Sequence, residues 1–89
     1  MRTPVFTRQF ERDVKRMRKR GKDLHKLKVV LSILVEEEQL TKQYRDHILA
    51  GEYKNRRECH IEPDWLLVYQ LASHEIIFER ISSHSDIFK

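Results

Sequence analysis

Residues 65–71, Trp-Leu-Leu-Val-Tyr-Gln-Leu, form a nearly unbroken apolar run, closed by Pro63-Asp64 before it and Ala72-Ser73-His74-Glu75 after it. A short apolar run between turn signals reads as a central strand covered on both sides. A chain of 89 residues has room for one core, and this strand belongs at its centre. Its neighbours follow from the flanks. Residues 56–62 alternate, with Arg57, Cys59 and Ile61 on one face and Glu58, His60 and Glu62 on the other. Residues 76–81 supply a third strand, and the three together read as an antiparallel meander.

The first forty residues carry a different period. Thr7 is a natural N-cap, and Phe10, Val14 and Met17 follow at i, i+4 and i+7, a narrow apolar stripe on a charged helix. Arg8, Arg12, Lys15, Arg16, Lys19 and Arg20 occupy its other face, and Gly21 suits the C′ position because it tolerates positive φ. Asp23 can cap a second helix reaching to about residue 38. There Leu24, Leu27, Leu31 and Leu34, broadened by Val30 and Ile33, make a wider face that should sit deeper. Glu36, Glu37 and Glu38 oppose the dipole at its end, with no evident reason. Val5 and Phe6 suit a sheet edge, and residues 82–89 have no clear period. The predicted architecture is a single α+β domain over residues 1–89, an N-terminal helical hairpin packed on a small, mainly antiparallel β-sheet.

Several classes fall away. The one cysteine, Cys59, excludes an intramolecular disulfide and a cysteine-based zinc site. No apolar run approaches the roughly 18–20 residues of a bilayer span, and the first six residues lack the apolar stretch of a secretory signal. A cytoplasmic location is the expectation, with no membrane partner and no cofactor. The net charge of +4 is unevenly spread. Residues 1–28 hold eleven basic and three acidic side chains, a net of +8, whereas residues 29–89 carry −4. A basic first third suggests a polyanionic partner, nucleic acid before membrane; an ordinary solvated helix face is the plainer explanation.

Three histidines, His47, His60 and His84, fall near predicted element ends, and Asp64 lies in the turn after His60. Imidazoles exchange protons near neutrality, so the set suits acid–base work, although a single histidine is more often a satisfied surface group. Their spacing is not that of a metal site. Alternation puts Cys59 opposite His60, in the core, where it is no nucleophile. Trp65 and Phe88 are candidate stacking platforms for an unpaired base, with packing the competing role for Trp65.

The run Tyr44-Arg45-Asp46-His47-Ile48-Leu49-Ala50-Gly51, the segment from Arg57 through His60, Pro63, Asp64 and Trp65 to Tyr69, then Phe78-Glu79-Arg80 and Ser83-His84-Ser85-Asp86-Ile87-Phe88, resembles the YafQ branch of the RelE/ParE toxin superfamily. Phe10, Asp13, Val14, Lys15 and Arg16 fit it too. The likeness spans essentially the whole chain. It implies a RelE-like fold and a ribosome-dependent mRNA endoribonuclease, the toxin of a type II toxin–antitoxin pair. Such a toxin enters the ribosomal A site and is blocked by a cognate antitoxin. Its reaction needs no metal: the ribose 2′-hydroxyl attacks the adjacent phosphate in line and leaves a cyclic phosphate.

By this resemblance the active residues are His47, His60, Asp64 and His84, with Trp65 and Phe88 placing the substrate. His84 is the expected general acid. Asp64 is the base or orients a histidine, and His47 and His60 share base and phosphate-stabilising roles. Arg80 and Arg57 are further phosphate candidates, with Arg57 turned away if alternation holds. Lys15, Arg16, Lys19 and Arg20 become a docking face for ribosomal RNA. Two positions depart from the family pattern. Ser82 stands where a glycine is usual, which would reset the loop presenting His84, and Ile48 replaces a common proline, which would leave that loop freer. Two other readings compete: a superfamily member that acts by binding a protein, as the ParE branch inhibits gyrase, and a basic RNA-binding module with incidental histidines.

Overall fold

The structure, a computed structural model, describes residues 1–49, 51 and 55–88; Ala50, Glu52, Tyr53, Lys54 and Lys89 lie outside the described residues. Its elements run β1 (Thr3–Phe6), α1 (Arg8–Lys19), α2 (Leu24–Val35), a 3-10 turn (Lys42–Tyr44), β2 (His47–Ile48), β3 (Arg57–Glu62), β4 (Trp65–Leu71), β5 (Glu75–Ser82) and α3 (His84–Ile87). The sheet order is β1-β5-β4-β3-β2. The predicted meander β3-β4-β5 forms its middle with β4 central, while β1 adds on in parallel beside β5 and β2 adds on antiparallel beside β3.

β4 earns its central place by alternation across two apolar surfaces. Trp65, Leu67 and Tyr69 join Phe10, Met17, Leu27, Val30 and Leu34 in the main core beneath the helices. Leu66 and Val68 face the other way, where Ile87, Phe88 and Leu49 cover them. Each helix has three buried side chains, so the wider apolar face of α2 does not sink it deeper than α1. What secures α1 is polar. β1 stops at Phe6, opposite Phe78, so on that side β5 continues without a strand beside it. Thr7 and Asp13 take over that edge. The Thr7 hydroxyl donates to Glu79 O and accepts from Phe10 N–H. The wholly buried Asp13 carboxylate accepts from Ile81 N–H at 3.1 Å and from Arg80 Nε at 2.7 Å. A buried carboxylate is tolerable only with such partners.

Both long helices end in the same hydrogen-bond pattern. After α1, Lys22 N–H reaches Met17 O and Gly21 N–H reaches Arg18 O, with Gly21 at φ +80. After α2, Glu38 N–H reaches Ile33 O and Glu37 N–H reaches Leu34 O, with Glu37 at φ 61. α2 therefore stops at Val35, three residues short of the predicted end. Glu37, turned outward in this cap, pairs with Arg2 at 3.1 Å. That gives one of the three glutamates a structural reason.

Candidate active site

On the β2–β3 side, His47 stands directly opposite Glu58, one strand over. Glu58 is only 5% exposed. Its Oε1 lies 3.1 Å from His60 Nε2 and 3.9 Å from His47 Nε2, and the two rings are 6.3 Å apart. Each imidazole is held from behind: His47 Nδ1 donates to Arg45 O at 2.7 Å and His60 Nδ1 to Pro63 O at 3.3 Å. A carbonyl only accepts, so Nδ1 carries the hydrogen in both rings and Nε2 faces the carboxylate. In the imidazolium form of His60 both N–H groups have an acceptor. Beside His60, Gln43, Tyr44, Arg45 and Pro63 line a pocket of about 250 Å³.

Asp46 ties this half to the fold. It accepts from the Tyr69 hydroxyl and from Arg57 Nη2 at 2.8 Å, beneath the left-handed turn at Arg45. Burial and the Asp46 carboxylate push the Tyr69 hydroxyl pKa well up, so it stays a donor. Arg57 thus points to the helix side, away from His60, as alternation predicts. Alternation fails at Glu62. A bulge between His60 and Glu62 sets Glu62 beside Trp65, where Lys22 and Lys26 bind it at 2.9 and 3.0 Å and lower its pKa.

At the other end, β4 and β5 converge on α3. The Asp64 carboxylate accepts the His84 backbone N–H at 2.9 Å, and the His84 ring lies 5.0 Å from the Phe88 ring. His60 is paired with Leu66, and Leu66 with Ser82, so one row across the sheet joins the two halves. Two strand spacings separate His60 from Ser82, roughly 10 Å between backbones. Between them Leu66 and Val68 form the floor. Two imidazoles over a carboxylate on one wall, and an exposed imidazole beside an aromatic ring on the other, flank the Leu66–Val68 strip, which Leu49, Ile87 and Phe88 cover.

The bacterial toxin family YafQ, of type II toxin–antitoxin systems, matches residues 2–89. The chain belongs to the YafQ toxin family. It is 39% identical over 84 residues to the mRNA interferase toxin YafQ of Escherichia coli K12, covering 93% of this chain and 91% of that protein. The crystal structure of E. coli YafQ superposes with a TM-score of 0.96 at 37% identity, covering all of both chains. YafQ from the E. coli DinJ–YafQ complex superposes with a TM-score of 0.93 at 38% identity, again over all of both chains.

Within this YafQ-family site the sequence-predicted residues fare unequally. His47 and His60 share one carboxylate, and Asp64 and His84 are bonded, but through the His84 backbone and not its ring. Phe88 sits against His84. Trp65 is a correction: it is wholly buried in the core under Lys22, so it packs and offers no face for a base. Arg80 is committed through two nitrogens to Asp13, and Arg16 and Arg20 ion-pair with Asp86 at 3.9 and 2.9 Å. Of the expected docking face, Lys15 and Lys19 remain without an ion pair among the described residues. Ile48 lies in β2, paired with Arg57, and not in a freed loop. Ser82 is not in a loop either; it ends β5 and is buried. The residue that sequence reasoning missed is Glu58. Its signal was present in the alternation that placed it on the His60 face. Among the described residues no group of three His, Cys, Asp or Glu side chains is arranged to hold a metal ion. No helix among them is long and apolar enough to cross a membrane.

Proposed function

We propose that this chain is an mRNA interferase, the toxin of a toxin–antitoxin pair, acting as one domain and cutting messages at the ribosomal A site in the cytoplasm until a cognate antitoxin covers the site. The observation that carries this reading is the buried Glu58 between His47 and His60, facing the His84–Phe88 turn across Leu66 and Val68. The wall on the β2–β3 side takes the proton of the ribose 2′-hydroxyl. The 2′-oxygen then bonds to phosphorus while the bond to the 5′-oxygen breaks, and His84 gives its proton to that leaving oxygen. The product is a cyclic phosphate. His47 or His60, held in place by Glu58, stabilises the pentavalent phosphate. Phe88 stacks on a neighbouring base, and Asp64 acts as a positioning residue through the His84 amide. Lys15 and Lys19 contact ribosomal RNA backbone, with Arg16, Arg20 and Arg80 adding charge to that side while holding the fold.

Ribosome-programmed cleavage of a defined message by the wild type and by His84→Ala tests this. Wild-type cutting that is lost in the variant and absent from naked RNA supports it. Equal cutting by both removes His84 from the chemistry. Intact message together with inhibited DNA supercoiling would move the chain to the protein-binding alternative.

A further inference from the structure

Ser82 is wholly buried at the end of β5, next to Ser83, whose hydroxyl caps α3. The Ser82 hydroxyl donates to Asp86 Oδ2 at 2.9 Å. The same oxygen accepts from the Ser83 hydroxyl at 2.8 Å and from Arg20 Nη1 at 2.9 Å, with Arg16 Nη1 at 3.9 Å. These donors, Ser83 first and then Arg20 and Ser82, hold the Asp86 carboxyl well below the usual carboxylate range. Asp86 lies two residues beyond His84 in a helix of only four residues. So short a helix has little stability of its own, and its anchors decide where it stays. Asp64 fixes the His84 amide and Ile87 packs on the sheet, yet neither reaches α1. Asp86 does. It joins the turn that carries His84 to the basic helix, and the buried hydroxyl of Ser82 completes the joint, which a glycine at that position cannot do.

We propose that Ser82 and Asp86 are positioning residues for His84, a latch that fixes the catalytic turn against α1 through Arg20. The proposal rests on the general-acid reading of His84 and deepens it. Arg20, at the C-cap of α1, is part of the joint, so Arg20→Glu disturbs turnover as well as ribosome binding.

Ser82→Ala and Asp86→Asn in the full chain test the latch. In each, kcat for ribosome-programmed cleavage should fall about tenfold, the loss of one well-placed hydrogen bond to a charged group, while KM stays within about twofold. The ring-proton resonances of His84, read by NMR on the toxin alone, should shift in both. Adding Ser82→Ala to Asp86→Asn should cost little more than Asp86→Asn by itself. If Asp86→Asn does not fold, Ser82→Ala carries the test, since it removes one oxygen and adds nothing. Unchanged His84 resonances with unchanged kcat, or a loss confined to KM, would overturn the latch. The resonances need no cleavage, so a latch that fails is distinguishable from a His84 that proves unnecessary in the His84→Ala assay.

Discussion

On the β2–β3 side of the site, side chains hold side chains: Glu58 engages both imidazoles, carbonyls fix their far nitrogens, and Asp46 locks the turn behind them. At the α3 end the backbone is what is held. Asp64 binds an amide and Asp86 a pair of hydroxyls and arginines, while the His84 ring is exposed and rests against Phe88. The first wall has its side chains tied at both ends by hydrogen bonds. The second leaves its imidazole turned to solvent on a firmly placed backbone, as suits the acid role proposed for it. A base and a stabiliser gain from a fixed field, whereas an acid needs reach.

Removing His84 should have the largest effect. His84→Ala is expected to lower kcat by about 10²- to 10⁴-fold, the usual worth of a positioned acid. Undiminished cutting by His84→Ala would erase the division of labour between the two walls. Next is Glu58→Gln, which keeps shape but loses charge toward both histidines. A drop of about ten- to a hundredfold in kcat follows from the roughly 1.5–3 kcal/mol of a hydrogen bond to a charged group. Full activity would reduce Glu58 to packing. Asp64→Asn still accepts the His84 amide, so a loss of only about threefold is expected, with Asp64→Ala clearly worse. Asp86→Asn adds a stability difference. A depressed folded-state pKa contributes stability that is present above the unfolded value, about pH 4, and lost as pH falls below it. Thermal melts of variant and wild type should therefore differ by about 1 kcal/mol near neutrality, after allowance for solvent screening, and converge in strong acid. The smallest effect is Lys15→Glu with Lys19→Glu. It should flatten the salt dependence of ribosome binding by one to two in slope, about 0.7–0.9 per lost phosphate contact, and leave the melt unchanged.

How much of this was legible varies residue by residue. The two helix ends make the point: Gly21 announces a positive-φ cap, but Glu37 adopts the same conformation with nothing local to mark it. Its cap depends on hydrogen bonds and on Arg2, a partner 35 residues away. β4 was readable because burial on two faces leaves a composition signal. β2 was not, because two residues make no period, and its pairing comes from β3. The same holds for α3, which is a product of its anchors. Within the site, alternation correctly put Cys59 in the core and Glu58 beside His60, then broke at the bulge before Glu62. Trp65 was open in sequence because an aromatic that begins a core strand next to Asp64 can pack or stack, with packing the stronger reading; burial decides it. The resemblance carried the identity of the family, while what each carboxylate binds came only from three dimensions.

Cys59 is wholly buried, and burial, with Asp46 and Glu58 nearby, pushes its thiol pKa far up. Thiolate is the reactive form, so the folded toxin presents almost nothing to an oxidant or an alkylating reagent. The sulfur becomes accessible only when the layer between helices and sheet parts. The molecule therefore contains its own clock: the rate at which a maleimide labels it measures how often the core opens, with no probe introduced and no residue of the site disturbed.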